Sequence, residues 1–335
     1  MKKLAIILIT AFSVACNSSD VKDAIDLIEG VPRKDIDRSI VGVNAFVNDA
    51  RFGSIDGQFN EIRDTLGIHF VRILFAWNDA VQPGPGSTPN FSFYDDIAAS
   101  LPPGVDAIVV LTGVPGWMGD PANWIGGDPR ATFVSRWVEP VVSRYASNGR
   151  IIGYQIWNEP NMAANPDNIT LGLAAGPQSY TAMLKAAFNS VRQIAPSKLV
   201  LSAATTAINQ NFPDTLSYNR IMVDSGALDA LDVFAIHYYG KQYENVIQDG
   251  GVQDFLNGLN KEIWVTESGE QGVNNQLAYA EEVWPFLTER VSAIKRIYYY
   301  QFAEATPADV TYGLRNLTPG LSVSDLYVHL RDGGP

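Results

Sequence analysis

Residues Ile151 to Asn161 read IIGYQIWNEPN and carry the pattern that decides the fold. The segment from Ile151 to Trp157 is apolar and favours extended structure, which is typical of a buried strand in a parallel sheet. Pro160 has no backbone N–H and disfavours the helical conformation at the preceding residue, so we expect Glu159 to be extended at the tip of this strand. A carboxylate buried there without a partner would be costly. Glu159 therefore either starts an ordinary solvated loop or is held in place for chemistry.

A second stretch repeats this arrangement later in the chain. Residues Lys261 to Gly269 read KEIWVTESG, which predicts a short strand with Glu267 at its tip. Glu267 lies 108 residues after Glu159, a separation that accommodates about three units of one strand and one helix. If the parallel sheet closes into a barrel, the two carboxylates converge on one pocket at the carboxyl ends of the strands. Paired carboxylates are what glycoside hydrolysis requires.

The two motifs together resemble a known group of enzymes. WNEPN and WVTESG are similar to the acid/base and nucleophile strands of glycoside hydrolase clan A, the retaining (β/α)8 enzymes that include cellulases, mannanases, xylanases and β-xylosidases. The resemblance extends from about Ser39 to Leu330. It implies an α/β fold, a (β/α)8 TIM barrel forming a single domain over residues 39–335. It also implies that Glu159 is the acid/base and Glu267 the nucleophile, with carboxyl groups about 5 Å apart.

Four further residues are expected to line the site. Arg72 interrupts an apolar strand and needs a carboxylate partner if it faces the barrel interior; an arginine that reaches solvent at the strand edge is the alternative. His237 and Tyr239 share one face of their strand, although a lone histidine in a strand is more commonly part of the core. The resemblance implies that Arg72 binds the nucleophile, that Tyr239 hydrogen-bonds it, that His237 lines the sugar site, and that Asn158 binds the sugar 2-hydroxyl.

Aromatic residues in the loops are candidates for stacking on sugar rings. The long loop from Gly113 to Pro129 carries Trp117 and Trp124, which we interpret as sugar platforms or as hydrophobic plugs of the loop itself. Many clan A relatives have a tryptophan near the end of strand eight. This sequence has none there, so Phe302 or Tyr300 is expected to substitute for it.

The composition excludes several other functions. The formal net charge of −12 and pI near 4.7 argue against nucleic-acid binding, which requires clustered lysine and arginine. The three histidines, His69, His237 and His329, are too widely spaced for a zinc motif, and there is no glycine-rich phosphate loop. We therefore expect no metal, no cofactor and a carbohydrate ligand, and we expect the chain to act as a monomer.

The amino terminus predicts export. Met1 to Cys16 reads MKKLAIILITAFSVAC, a basic and then apolar segment typical of a secretory signal and too short to span a bilayer. Ser13 to Cys16 resembles a bacterial lipobox. It implies that residues 1–15 are a lipoprotein signal peptide, that Cys16 is lipidated and anchors the protein to a membrane of the cell envelope, and that residues 16–38 form a tether with a short helix. Ordinary cleavage nearby, giving a periplasmic or secreted protein, is the alternative.

The remaining pattern predicts alternating strands and helices, without repeats or an appended binding domain. The predicted strands cover residues 40–44, 70–75, 106–112, 151–157, 198–202 and 231–240, a strand ending at 267, and 296–302. The main predicted helices cover residues 58–66, 130–148, 179–194, 275–291 and 322–331.

The resulting hypothesis is a retaining glycoside hydrolase that acts on a β-linked polysaccharide or oligosaccharide by double displacement. Mannan, xylan and β-glucan all fit. A degenerate carbohydrate-binding barrel would lack one of the carboxylates, whereas both are present. A metal-dependent hydrolase would need histidine and aspartate ligands at strand tips, where only His237 is so placed. A transglycosylase would use the same residues as a hydrolase, so the sequence does not separate the two.

Overall fold

The computed structural model describes residues 30–174, 176–320 and 322–333. The predicted signal peptide, Cys16 and the first part of the tether lie outside these residues. Within the described part of the chain, every helix is too short or too polar to cross a bilayer.

Eight parallel strands close into a barrel in chain order, with β1 paired to both β2 and β8. This confirms the predicted single-domain (β/α)8 fold. The strands are β1 Val41–Asn44, β2 Phe70–Ala76, β3 Asp106–Thr112, β4 Ile151–Ile156, β5 Leu199–Leu201, β6 Val233–Tyr239, β7 Glu262–Gly269 and β8 Ile294–Tyr299.

Helices follow each strand and cover the outside of the barrel. The α-helices are α1 Ile55–Asn60, α2 Ser92–Ser100, α3 Pro129–Phe133, α4 Glu139–Tyr145, α5 Pro166–Leu171, α6 Pro177–Ile194, α7 Asp214–Asp224, α8 Glu244–Ile247, α9 Val252–Asn257, α10 Gln276–Arg290 and α11 Asp325–Arg331. Two wider, π-helical segments continue from α1 (Glu61–Thr65) and join α3 to α4 (Val134–Val138).

Several element boundaries differ from the predictions, and two of them have a clear local reason. The helix predicted from Gln58 begins earlier, at Ile55, because the Ser54 side chain caps it by accepting from the Gly57 N–H at 3.3 Å. The last strand ends at Tyr299 instead of reaching Phe302, so the chain leaves the sheet before that residue. Caps and exits of this kind depend on contacts that a hydrophobic pattern does not encode.

The barrel interior is filled by side chains. Its cluster is separate from the outer core and consists of Ile108, Leu201, Val233, Trp264 and Tyr298. Gly42 on β1 leaves the space for one of these rings, since a Cβ there would lie 2.5 Å from Cδ1 of Tyr298. The packed interior leaves the polar residues of the strands to gather at the carboxyl end of the barrel.

A β-bulge in β7 decides where Glu267 points. Strict alternation from the inward-facing Trp264 would turn Thr266 inward and Glu267 outward. The pairing of β6 with β7 shifts by one residue, so that Ile236 lies opposite Val265 while His237 lies opposite Glu267, with Thr266 as the extra residue. Bulges of this kind re-aim side chains next to active sites. The strand then continues to Gly269, so the prediction that it ends at Glu267 was wrong.

Candidate active site

Barrel closure brings the two sequence-predicted carboxylates together. One oxygen of Glu159, one oxygen of Glu267 and a ring nitrogen of His237 all lie within 4.8 Å of one another. Glycosidases that retain configuration hold their carboxyl groups about 5–5.5 Å apart, whereas inverting enzymes separate them by about 6.5–9.5 Å to admit a water. The spacing of Glu159 and Glu267 therefore matches the retaining arrangement.

Glu267 is buried and held by three side chains. Arg72 Nη1 donates to Oε1 at 2.6 Å, and the Tyr239 hydroxyl donates to Oε2 at 2.9 Å. His237 Nε2 lies 3.5 Å from Oε1. Burial raises the pKa of Glu267, but the electrostatic effects of His237 and Arg72, with the Tyr239 hydrogen bond, outweigh it and hold this pKa below its ordinary value. The Glu267 carboxylate is therefore ionised at neutral pH.

Tyr239 is suited to act as the donor in this contact. Burial, followed by the charge of Glu267, raises the pKa of the Tyr239 hydroxyl far above its ordinary value. The hydroxyl therefore stays protonated and donates a hydrogen bond to the Glu267 carboxylate.

Arg72 is buried, and its guanidinium donates hydrogen bonds to residues of β1, β4 and β7 and to Asn158, the second residue after β4. Besides Glu267, it donates to Asn44 Oδ1 at 2.6 Å, to Gln155 Oε1 at 2.8 Å and to Asn158 Oδ1 at 2.7 Å. Sequence reasoning missed Asn44 and Gln155. The available signal was a polar side chain facing inward on an otherwise apolar strand, which is the same signal that Arg72 gave.

Glu159 is more accessible, with 19% of its side chain exposed, and its Oε1 lies 3.1 Å from His237 Nδ1. Its backbone is not extended as predicted. Glu159 has φ +45° and Trp157 has φ +77°, both in the left-handed region that residues other than glycine rarely occupy. Tertiary contacts override the preference imposed by Pro160, because the Glu159 N–H donates to the Ala204 carbonyl at 2.9 Å. Strained backbone of this kind clusters at functional sites.

His237 lies between the two carboxylates and has no exposed surface. Its two ring nitrogens face Glu159 and Glu267, at 3.1 and 3.5 Å. The core and functional interpretations of this residue both apply, since the imidazole is buried and yet contacts both acidic groups.

The two loop tryptophans have the contacts of hydrophobic plugs. Trp117 Nε1 donates to the Gln82 carbonyl at 2.9 Å, and Trp124 Nε1 donates to the Met118 carbonyl at 2.8 Å. Both rings pack against the outer core, and Trp117 lies edge-on to Trp77 with ring centroids 5.3 Å apart. These contacts fit the plug alternative better than the sugar platform.

The aromatic surface beside the nucleophile is made of tyrosines. Phe302 has no exposed surface, so the prediction that its ring contacts sugar was wrong; the chain turns it into the core after β8. Tyr300 is partly exposed and lies edge-on to Tyr239 and Tyr312, at centroid distances of 6.2 and 6.0 Å. Burial and the charge of Glu267 raise the pKa of Tyr300 to about 12. Sequence reasoning missed Tyr312, although its position in the long loop after β8 placed it on the catalytic face.

The donor set could in principle hold a cation. Glu159, His237 and Glu267 each offer one ligand atom within the same 4.8 Å cluster. The guanidinium of Arg72, however, already occupies Glu267 Oε1 at 2.6 Å. A divalent ion at that oxygen would lie beside a fixed positive charge, so the electrostatics oppose it.

Comparisons with known proteins agree with this geometry. The cellulase family (glycosyl hydrolase family 5) matches residues 35–300. No curated protein matches the sequence significantly. Among solved structures, a family 39 glycoside hydrolase from Bacteroides cellulosilyticus WH2 is 18% identical with a TM-score of 0.62, covering 90% of this chain and 65% of its own.

Two further structures share the fold. A family 39 β-xylosidase from Caulobacter crescentus is 14% identical with a TM-score of 0.63, covering 90% of this chain and 72% of its own. A family 1 β-glucosidase from Thermotoga maritima is 13% identical with a TM-score of 0.59, covering 91% of this chain and 100% of its own. This chain thus spans about two thirds of the length of the first of the three structures, 65% of it. The match over residues 35–300 shows that the chain belongs to the cellulase family, glycosyl hydrolase family 5, within clan A.

Proposed function

We propose that this protein hydrolyses β-linked polysaccharides or oligosaccharides with retention of anomeric configuration. The observation that carries the proposal is the short separation of the two acidic side chains, since one oxygen of Glu159 and one oxygen of Glu267 lie within 4.8 Å of each other. That distance leaves no room for the water that an inverting enzyme holds between substrate and base.

The two carboxylates have separate tasks in this mechanism. Ionised Glu267 attacks the anomeric carbon and forms a covalent ester while the glycosidic bond breaks, and Glu159 donates its proton to the departing oxygen. Glu159, now a carboxylate, then takes a proton from water, which attacks the anomeric carbon and displaces Glu267. The depressed pKa of Glu267 favours its role as the nucleophile.

Asn158 is placed to bind the sugar beside these groups. Its Oδ1 accepts from Arg72 at 2.7 Å, which orients the amide and leaves the N–H₂ group to donate to a ligand. We assign it the sugar 2-hydroxyl, where a hydrogen bond strengthens as the transition state forms.

The loops support an extended substrate. Long connections follow β2, β3 and β4, at residues 77–91, 113–128 and 157–165, which places them on the carboxyl side of the barrel. Similar solved structures are named as a β-xylosidase and a β-glucosidase. Xylan, β-glucan and mannan are therefore the first substrates to test. Transfer to a sugar acceptor by the same residues is the second candidate activity.

The test has two parts. The protein is first incubated with a panel of these polysaccharides to find which it cleaves. The hydrolysis of an aryl β-glycoside of the corresponding sugar is then followed by proton NMR to see which anomer is released first. We expect the β-anomer to appear first and then to mutarotate. An α-anomer as the first product would contradict retention. Product analysis at high acceptor concentration separates transfer from hydrolysis.

Its cellular location is a separate proposal based on the sequence alone. We propose that the protein is exported and anchored to the cell envelope through lipid on Cys16. Cys16→Ala is expected to release the protein into the soluble fraction after export. Unchanged membrane association of this variant, with the N-terminal residue of the mature chain determined in parallel, would contradict lipidation at this site.

A further inference from the structure

One buried amide outside the predicted site holds the backbone turn that carries Glu159. Asn168 lies on α5 and has no exposed surface. Its Oδ1 accepts from Trp157 Nε1 at 2.7 Å, and its Nδ2 donates to the Glu159 carbonyl at 2.8 Å and to the Met162 carbonyl at 2.9 Å. A single side chain therefore bridges positions before, at and after the acidic residue.

This turn needs external support. Trp157 and Glu159 both have left-handed backbone angles, which residues other than glycine adopt only where surrounding contacts compensate. The Glu159 N–H is held by the Ala204 carbonyl, and Asn161 exchanges hydrogen bonds with Thr206 at 2.8 and 2.9 Å. Those contacts fix the turn to the loop after β5. Asn168 fixes it from the opposite direction, through the carbonyl of Glu159 itself.

The nucleophile is positioned differently. Glu267 is held through its carboxylate by Arg72 and Tyr239, on a strand within the sheet. The Glu159 carboxylate contacts His237 alone among the side-chain hydrogen bonds of the described residues. Its position therefore depends on the backbone of the turn to a greater extent than that of Glu267 does.

We propose that Asn168 is a positioning residue for proton transfer by Glu159. Asn168 holds the backbone carbonyl of Glu159 and thereby fixes the position of the Glu159 carboxyl group relative to the glycosidic oxygen. Asn168 itself does not contact the substrate. Proton transfer requires hydrogen-bond distance between donor and acceptor, so a small displacement of the turn weakens it selectively. This inference rests on the proposed function, in which Glu159 is the acid/base.

Gln58 offers a matched control elsewhere in the barrel. It is also a buried amide that holds a loop backbone, donating from Nε2 to the Val47 carbonyl at 2.9 Å and accepting from the Val47 N–H at 3.1 Å. That loop follows β1 and does not carry Glu159. Gln58→Ala therefore reports the general effect of removing a buried loop clamp.

The experiment compares Asn168→Ala, Asn168→Asp and Gln58→Ala with the unmodified protein on two aryl β-glycosides of a sugar that it hydrolyses. A phenyl leaving group needs protonation to depart, whereas 2,4-dinitrophenolate leaves without it. We expect both Asn168 variants to lose about 10- to 100-fold in kcat/KM on the phenyl glycoside, which is part of the roughly 10²- to 10⁴-fold that general acid catalysis contributes, and about threefold or less on the dinitrophenyl glycoside. Asn168→Asp preserves shape and the acceptor for Trp157 but removes both donors, so it tests the contact if the alanine variant fails to fold.

Equal losses on the two leaving groups, no loss on either, or the same selective loss in Gln58→Ala would overturn the role of Asn168. Inactivity of the unmodified protein on every aryl glycoside and polysaccharide would instead overturn the proposed function. Thermal unfolding midpoints of the variants separate instability from misplacement, because instability lowers both rates together.

Discussion

Glu267 on β7 and Glu159 after β4 face one another, but they differ in exposure and in hydrogen-bond partners. Glu267 lies within a strand, with 11% of its side chain exposed, and receives hydrogen bonds from Arg72 and Tyr239. Glu159 lies on a turn beyond its strand, with 19% of its side chain exposed and one histidine contact at 3.1 Å. The first arrangement lowers the pKa of Glu267 and keeps its carboxylate ionised, whereas the second leaves Glu159 with a single side-chain contact and open to a ligand. The difference between the two positions matches the roles of nucleophile and acid/base.

Of the substitutions that test this difference, Glu159→Ala is expected to lower kcat/KM the most. Removing the proton donor should lower kcat/KM on a phenyl β-glycoside by about 10²- to 10⁴-fold, whereas glycosylation by a dinitrophenyl glycoside should change much less. Pre-steady-state kinetics with the dinitrophenyl substrate should show a burst, because the second step then becomes limiting. A loss that is independent of the leaving group would show that Glu159 does not act as the acid.

Arg72→Met breaks the support of the nucleophile. Removing one partner of a buried ion pair costs about 3–5 kcal/mol of folding stability. Because Arg72 also holds the Glu267 carboxylate in position, we expect kcat/KM to fall by about 10²-fold on both leaving groups. Arg72 lowers the pKa of Glu267, so its loss raises that pKa and moves the acidic limb of the pH profile upward. An unchanged acidic limb would contradict the assignment of that limb to Glu267.

The stability of the Arg72 variant should follow the same linkage. The depressed pKa of Glu267 stabilises the fold above the pKa of the unfolded chain, and this stabilisation is lost as the pH falls through the folded-state value. The difference in unfolding midpoint between the two proteins should therefore shrink towards acidic pH, where the carboxyl group is protonated in both.

Tyr239→Phe removes one hydrogen bond and preserves the ring. We expect a loss of about tenfold in kcat/KM, since hydrogen bonds to charged groups contribute about 1.5–3 kcal/mol, with an upward shift of the acidic limb smaller than that of Arg72→Met. The pH profiles of kcat/KM for the two variants, measured side by side, show which acidic limb shifts more. A larger shift in Tyr239→Phe than in Arg72→Met would contradict this prediction.

The smallest effect on kinetics is expected from a substitution of Trp124, one of the two loop tryptophans. Trp124→Phe deletes the hydrogen bond to the Met118 carbonyl, which costs about 1 kcal/mol of stability. Its KM for polysaccharide should stay within about twofold, because a plug does not contact the sugar. A KM that rises several-fold with an unchanged unfolding midpoint would restore the sugar-platform interpretation.

The sequence predicted the features that depend on strand pattern and motif. The closed barrel follows from alternating apolar strands and helices, and the two Glu-containing motifs placed Glu159 and Glu267 at strand ends. Pattern reasoning failed where a single residue changes direction. The bulge at Thr266 and the left-handed backbone at Glu159 arise from tertiary contacts that no local preference encodes.

The prediction for Phe302 was wrong for a related reason. Phe302 was assigned to sugar contact because of its place near the end of β8, but the strand ends earlier and the chain turns that ring into the core. Whether a ring packs inward or faces a ligand is decided by the path of the loop. Tyr300 follows β8 directly, whereas Tyr312 meets Tyr239 and Tyr300 because the connection after β8 returns to the site.

The proposed mechanism depends on which of the two carboxylates forms the covalent bond to the sugar. The most direct measurement is the anomer formed when azide rescues Glu267→Ala and Glu159→Ala on a dinitrophenyl β-glycoside. We predict an α-glycosyl azide from the Glu267 variant, where azide attacks the substrate directly, and a β-glycosyl azide from the Glu159 variant, where azide displaces the enzyme. The same anomer from both variants, or the reverse assignment, would contradict it.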